Sequence, residues 1–369
     1  MRKFPAVLLA SLLLACTAKT PVVAPTVAET TPSSSPSPSQ SKARQPRAVL
    51  AVYKLGRSLW LYDARTDKVT ELANGEGIRQ PRWLNTKEIS FIQGDGAADV
   101  LRVINTKTRE VGDILTVESG IRTYAWTPDR ETVGTITVDE RGYPHVEFRT
   151  LIGNQATLGV ATLAVAGGRE GTLDDQVRLE FDRRGRRALI VFTPSDGTGE
   201  PVPEEQSQLQ VRGVNGELLH AGAPTDEPTM GFWSPDGRFV YYRTEDGGRV
   251  WEVRTGALQA TRGGGRWFNP SVSRDGRSIA FDTGARSEQV RVRVLNVRTG
   301  AVRSVGPARR FRPVFANAST VWVQQVRRCR GECLLPVSPV RTVYALNIRT
   351  GEEKELALRS LVDIDVLYR

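Results

Sequence analysis

Histidine, methionine and cysteine are nearly missing from this 369-residue chain, which holds two, two and three of them. His145 and His220 match no nucleophile-and-base arrangement, and no Gly-x-Ser-x-Gly elbow is present. A zinc site wants four ligands, which the few, scattered histidines and cysteines do not offer. Lysine is scarce as well, 8 against 43 arginines. So strong a bias reads first as the codon composition of a GC-rich genome. The net charge of +10, or +8 once Arg2 and Lys3 are removed, attracts anionic partners, yet the basic residues form no dense run. Helical periodicity is nowhere sustained. The apolar run from Phe4 to Leu14, 11 residues long, is too short to span a bilayer as a mature helix.

What is present begins with that run. Arg2 and Lys3 precede it, and Leu13-Leu14-Ala15-Cys16 ends it. The arrangement resembles the lipobox of bacterial lipoprotein signal peptides. The resemblance implies cleavage before Cys16, with lipid on the thiol and the amine of the new N-terminus; several acyl chains anchor stably where one does not. Residues 1–15 are thus expected to be a signal peptide. Residues 16–47, rich in Thr, Pro and Ser, carry too little apolar surface to offset ordering entropy and read as a tether. The protein is then exported and lipid-anchored, on the periplasmic or cell-surface side of a bacterial membrane, and nucleic acid is not an expected partner. Cys329 and Cys333 remain, in Cys-Arg-Gly-Glu-Cys. In an oxidising envelope a disulfide is the favoured reading, with a metal pair or a redox pair as rivals.

From residue 48 to 369 two signatures alternate. The first is an apolar residue, a polar turn and a β-branched or aromatic strand. Its best copies are Trp233-Ser-Pro-Asp-Gly-Arg238 and Val272-Ser-Arg-Asp-Gly-Arg277; weaker copies start at Trp83, Trp126, Phe181 and Phe315. The second is a strand ending in an acid or amide and then a turn with Thr and often Gly, as in Asn296 to Gly300 and Asn347 to Gly351, with degenerate forms at Asp63 and Asn105. Pro presets φ, Gly supplies positive φ, and Asp or Asn caps its own turn. A unit of roughly 40 to 50 residues with four short strands is the sign of a propeller blade. Residues 48–73 offer only three strands and residues 362–368 a lone one, so pairing of the two chain ends completes a blade. The expected fold is all-β, a propeller of four-stranded antiparallel blades, seven in number.

These turns resemble the WD-repeat-like propeller repeats of the TolB type over residues 48–369. That resemblance implies six blades, and a non-enzymatic, protein-binding role in the cell envelope.

Up-and-down blades put the Pro-Asp-Gly and Thr-Gly turns on one face. The irregular loops, 153–176, 193–207 and 324–341, fall on the other, which is the expected functional face. Five arginines precede innermost strands: Arg79, Arg82, Arg122, Arg178 and Arg312. They could ring the channel mouth and attract an anion, although the high Arg content alone accounts for most of them. Trp83, Trp126 and Trp233 share one repeat position and are expected to pack between blades; Trp251 and Trp267 fall outside the pattern and could be surface aromatics. No cofactor and no metal is expected. The expected function is that of an anchored module binding an envelope protein or an anionic cell-wall ligand. The alternative is a lactonase- or glycosidase-like propeller hydrolase, for which Glu180 and Asp365 are the candidate acids.

Overall fold

The structure, a computed structural model, describes residues 47–95, 98–118, 120–138, 144–152, 155–161, 178–191, 209–221, 230–244, 247–260, 267–284, 289–325 and 342–369. The leader, Cys16, the tether, the Cys329–Cys333 pair and most of the long loops lie outside these residues.

The described residues form 28 strands and no helix. They pair as seven antiparallel sheets of four, so the count is seven and not the six implied by the family resemblance. The innermost strands of blades 1 to 7 are Ile364–Tyr368, Arg79–Trp83, Ile121–Trp126, Arg178–Phe181, Met230–Trp233, Phe268–Val272 and Arg310–Asn317. Blade 1 joins the two chain ends as expected: Ile364–Tyr368 pairs with Ala48–Leu55 in the register Ala51↔Val366. Arg47 N–H donates to the Arg369 carbonyl at 2.8 Å and Arg369 N–H to the Arg47 carbonyl at 3.0 Å. This closure leaves no blade without a neighbour, which is how the ring avoids an open edge.

The core lies between blades. Trp83 packs with Val52, Leu59 and Leu72 of blade 1 and with Ile89 and Phe91 of its own. Trp233 meets Leu189 and Val191 of blade 4, and Trp322 of blade 7 meets Tyr62 of blade 1 edge-on at 5.6 Å. Trp126 is buried likewise, and so are Trp251 and Trp267, which had no pattern to place them.

The turns work as their sequence implies. In Ser273 to Ser278, Ser273 Oγ donates to Asp275 Oδ1 at 2.7 Å and accepts from Ser278 N–H at 2.9 Å, and Asp275 Oδ1 accepts from Arg277 N–H. Ser234 to Phe239 repeats this bond for bond. Gly276 sits at φ 68°, and a Cβ there would stand 2.6 Å from Pro235 of the neighbouring blade. A left-handed backbone and a close approach both require glycine at this point.

Candidate functional site in the central channel and its mouth

All innermost strands start at one end of the channel, here called the mouth. The Pro-Asp-Gly and Thr-Gly turns, with Arg47 and Arg369, lie at the opposite, turn end.

At the mouth, four innermost strands begin with a register shift: between Arg79 and Arg82, Ile121 and Thr123, Phe268 and Ser271, and Phe311 and Val314. In three of them the shift carries a non-glycine residue at positive φ directly before a proline: Gln80 (49°), Asn269 (47°) and Arg312 (51°). Such a bulge re-aims side chains and ends regular pairing. It also brings the backbone N–H of one blade onto a buried carboxylate of the blade before it. Asp282, fully buried, accepts from Arg312 N–H at 2.9 Å, Asn269 Nδ2 at 2.8 Å and Gly284 N–H at 2.9 Å. Its carboxyl is raised above the usual range, because burial outweighs those donors. Asp99, equally buried, accepts from Ile121 N–H and from the Arg79 guanidinium. Arg79 also reaches the Ile121 carbonyl at 3.1 Å.

Beside the Asp99 strut a cavity of about 400 Å³ opens at the junction of blades 1, 2 and 3. Lys54, Gln80, Arg122 and Asp363 line it together with the Arg79–Asp99 pair. Lys54 has no ion pair among the described residues. Gln80 Nε2 donates to the Arg122 carbonyl at 2.7 Å, while its Oε1 is buried and takes no hydrogen bond.

Deeper in, one layer of the channel wall is made by the residue just before each blade's apolar anchor. Asp365 of blade 1, Arg82 of blade 2, Glu180 of blade 4 and Ser271 of blade 6 hold equivalent places. Asp365 Oδ2 accepts from Trp83 N–H of the next blade at 2.7 Å, and Ser271 Oγ from Phe315 N–H at 3.1 Å. Tyr124 Oη donates to the Gln80 carbonyl at 2.9 Å and lies 3.1 Å from Ser90 Oγ, which also accepts from Trp126 Nε1 at 2.8 Å.

Glu180 is the chemically unusual group. The strands around it exclude bulk water and push its carboxyl up to about 7, although Arg178 and Arg82 pull the other way. Arg178 keeps open area toward the channel, yet the surrounding strands desolvate it and hold its guanidinium below the usual value. Arg130 reaches in from the turn end, where Asp365 and Tyr124 share its field.

No family model matches this chain, and no curated protein matches it. Solved structures do. An oligogalacturonate lyase from Vibrio parahaemolyticus is 12% identical over 73% of this chain and 80% of its own, with a TM-score of 0.55. A protein from Lactobacillus plantarum is 12% identical over 88% and 99%, with a TM-score of 0.55. TolB from Acinetobacter baumannii is 14% identical over 85% and 80%, with a TM-score of 0.45. The likeness is one of fold.

The five arginines singled out by position have different places. Arg79 is a strut on Asp99. Arg82 and Arg178 stand beside Glu180. Arg122 lines the mouth cavity, and the Arg312 backbone is tied to Asp282 at the seam of blades 6 and 7. Sequence reasoning missed Asp99, Asp282 and Gln80. The visible signal for this seam was the residue-plus-proline step at Gln80-Pro81, Asn269-Pro270 and Arg312-Pro313, at one offset in three blades.

Proposed function

We propose that the protein is a membrane-anchored envelope lipoprotein whose propeller is a non-enzymatic module binding a protein or an anionic ligand at the channel mouth. The observation that carries this reading is the mouth cavity. It is concave and polar, lined by Lys54 and Arg122, and offers one unmet acceptor, Gln80 Oε1. The Arg79–Asp99 strut in its wall is already satisfied, and Asp95 and Asp363 beside the cations add polar groups for a partner's donors, which suits a preformed binding surface. Affinity capture with in-cell crosslinking tests it. The anchored chain should retain a stoichiometric envelope partner that Lys54→Glu with Arg122→Glu loses, and Cys16→Ala should release the bait from membranes. Capture unaffected by the double reversal would move the binding site elsewhere.

A second reading, a propeller hydrolase acting outside the cytoplasm, draws on one observation. A channel-wall carboxyl pushed up to about 7 by desolvation, within the field of Arg178 and Arg82, is suited to general acid–base work. Hydrolysis found in a glycan and lactone screen, and lost in Glu180→Gln and Asp365→Asn, would favour it over the binding module.

A further inference from the structure

The strand that closes the ring fixes where the N-terminal segment joins the propeller. Ala48 pairs with Tyr368, the last residue of an innermost strand, so residue 47 leaves at the turn end, beside the channel axis. The mouth points the opposite way. If Cys16 carries lipid, the segment that leads to it is attached at the turn end.

In blades 4 to 6 the acids of that end are engaged by their own turns, and most of its arginines are not. Asp236 and Asp275 are turned inward onto Ser234 and Ser273. Asp182 accepts from Arg187 Nε at 2.8 Å and from Arg186 N–H at 3.0 Å, and Glu252 accepts from Thr255 Oγ1 at 2.8 Å. The same turns of blades 4 to 6 carry Arg183, Arg184, Arg186, Arg254, Arg277 and Arg298. All six are exposed, and none has an ion pair among the described residues. Arg277 and Arg298 share a hollow of about 430 Å³, while Arg183 and Arg274 share one of about 310 Å³ with Asp236 and Asp275, whose charges they offset. Capping ties these carboxylates to their own turns, and the arginines of blades 4 to 6 outnumber them, so a basic strip faces solvent.

We propose that this strip docks the turn end on an anionic membrane surface, so that the channel mouth is held facing away from the lipid. The proposal rests on the lipoprotein reading above and adds an orientation to it. A tether of Pro-rich character reaches about 3.1 Å per residue, so residues 17–47 alone would let the propeller turn freely; the basic strip supplies the orientation that the tether does not. Electrostatic attraction dies away over about 8 Å at physiological salt, which demands charges at the very tip of the turns, where these six stand.

The test is vesicle cosedimentation of the full chain carrying Cys16→Ala, which needs no lipid of its own, on phosphatidylglycerol against phosphatidylcholine vesicles. Its leader is common to all variants and cancels in the comparison. The chain should prefer the anionic vesicles. Replacing Arg184, Arg254 and Arg298 by Glu should lower binding to them by roughly a hundredfold, given the worth of each cation near such a surface, with the thermal midpoint unchanged. Reversing Arg57 and Arg291, two exposed mouth-end cations, should leave binding intact. No preference for phosphatidylglycerol, or equal binding by the turn-end variant, overturns the proposal; so does an effect confined to the mouth-end pair, and retention of the preferred binding by an acidic protein alone. Release of the Cys16→Ala chain from cell membranes is read in a separate fractionation, so failure of anchoring and failure of docking are told apart.

Discussion

The two ends of this propeller solve the same problem, leaving a strand and starting another, by different means. At the turn end each connection is made within about six residues and satisfied mainly by its own side chains, Ser, Asp and a residue at positive φ, or Asn, Thr and Gly, with Arg187 Nη2 also reaching the Gly237 carbonyl of the next blade at 2.7 Å. At the mouth end the satisfying group comes from another blade. Asp99 and Ile121 are 22 residues apart, and Asp282 and Arg312 are 30 apart. A turn-end defect is therefore local, whereas a mouth-end defect loosens the seam between two blades and the cavity that the seam frames.

The largest expected effect breaks that comparison most directly. Asp99→Ala leaves the half-buried guanidinium of Arg79 without its counter-charge and the buried Ile121 N–H without an acceptor, and should cost about 2–3 kcal/mol. Asp275→Ala at the turn end removes two exposed hydrogen bonds and should cost about 1 kcal/mol or less. Urea titration of the two variants decides it. Equal losses would mean that the seam relaxes around the missing carboxylate and that the two ends do not differ in kind.

A middle-sized effect concerns the channel between the ends. Glu180 ordinarily titrates near 4.5, and in the folded protein near 7. The native state therefore holds this proton over a window in which the unfolded chain has released it. Stability from this group is complete below pH 4.5 and falls as pH rises through 7. Between pH 5 and pH 8 the protein should lose about 1–3 kcal/mol relative to Glu180→Gln, measured as the difference in denaturation midpoints at the two pH values. Parallel behaviour of the two proteins would mean that Arg178 and Arg82 keep Glu180 ionised throughout, and would remove the observation on which the hydrolase reading draws.

The same contrast governs what could be read in the sequence. The blade count and the closure by both chain ends were legible because turn chemistry is written in consecutive residues: Ser-Pro-Asp-Gly and Arg-Thr-Gly each mark a chain reversal, and spacing does the rest. The seam was not legible, because the spacing between a carboxylate and the N–H it caps is set by the lengths of the loops between them. The five arginines show the limit most plainly. Position before an innermost strand made them equivalent, yet a one-residue bulge turns Arg79 onto Asp99 while Arg82 and Arg178 line the channel with Glu180. Charge and position alone could not distinguish a strut from a ligand-facing group.

The smallest expected effect sharpens the turn-end half of the comparison. Gly256, Gly300 and Gly351 close the outer turns of blades 5, 6 and 7 at φ 70°, 69° and 80°, each donating its N–H to the backbone carbonyl of the residue four back, Glu252, Asn296 or Asn347. Blade 2 makes the same turn with Arg109 at φ 65°, donating to the Asn105 carbonyl at 2.9 Å. A non-glycine residue in this region costs about 1–2 kcal/mol, partly offset in the opposite direction by the greater freedom glycine loses on folding. Arg109→Gly should thus stabilise the protein by about 0.5 kcal/mol, while Gly276→Ala, at a position where the neighbouring blade leaves no room for a Cβ, should destabilise it. If Arg109→Gly is instead destabilising, the bond from its guanidinium to the Glu71 carbonyl of blade 1 outweighs the backbone strain. The turn end would then share with the mouth end the device of one blade holding the next.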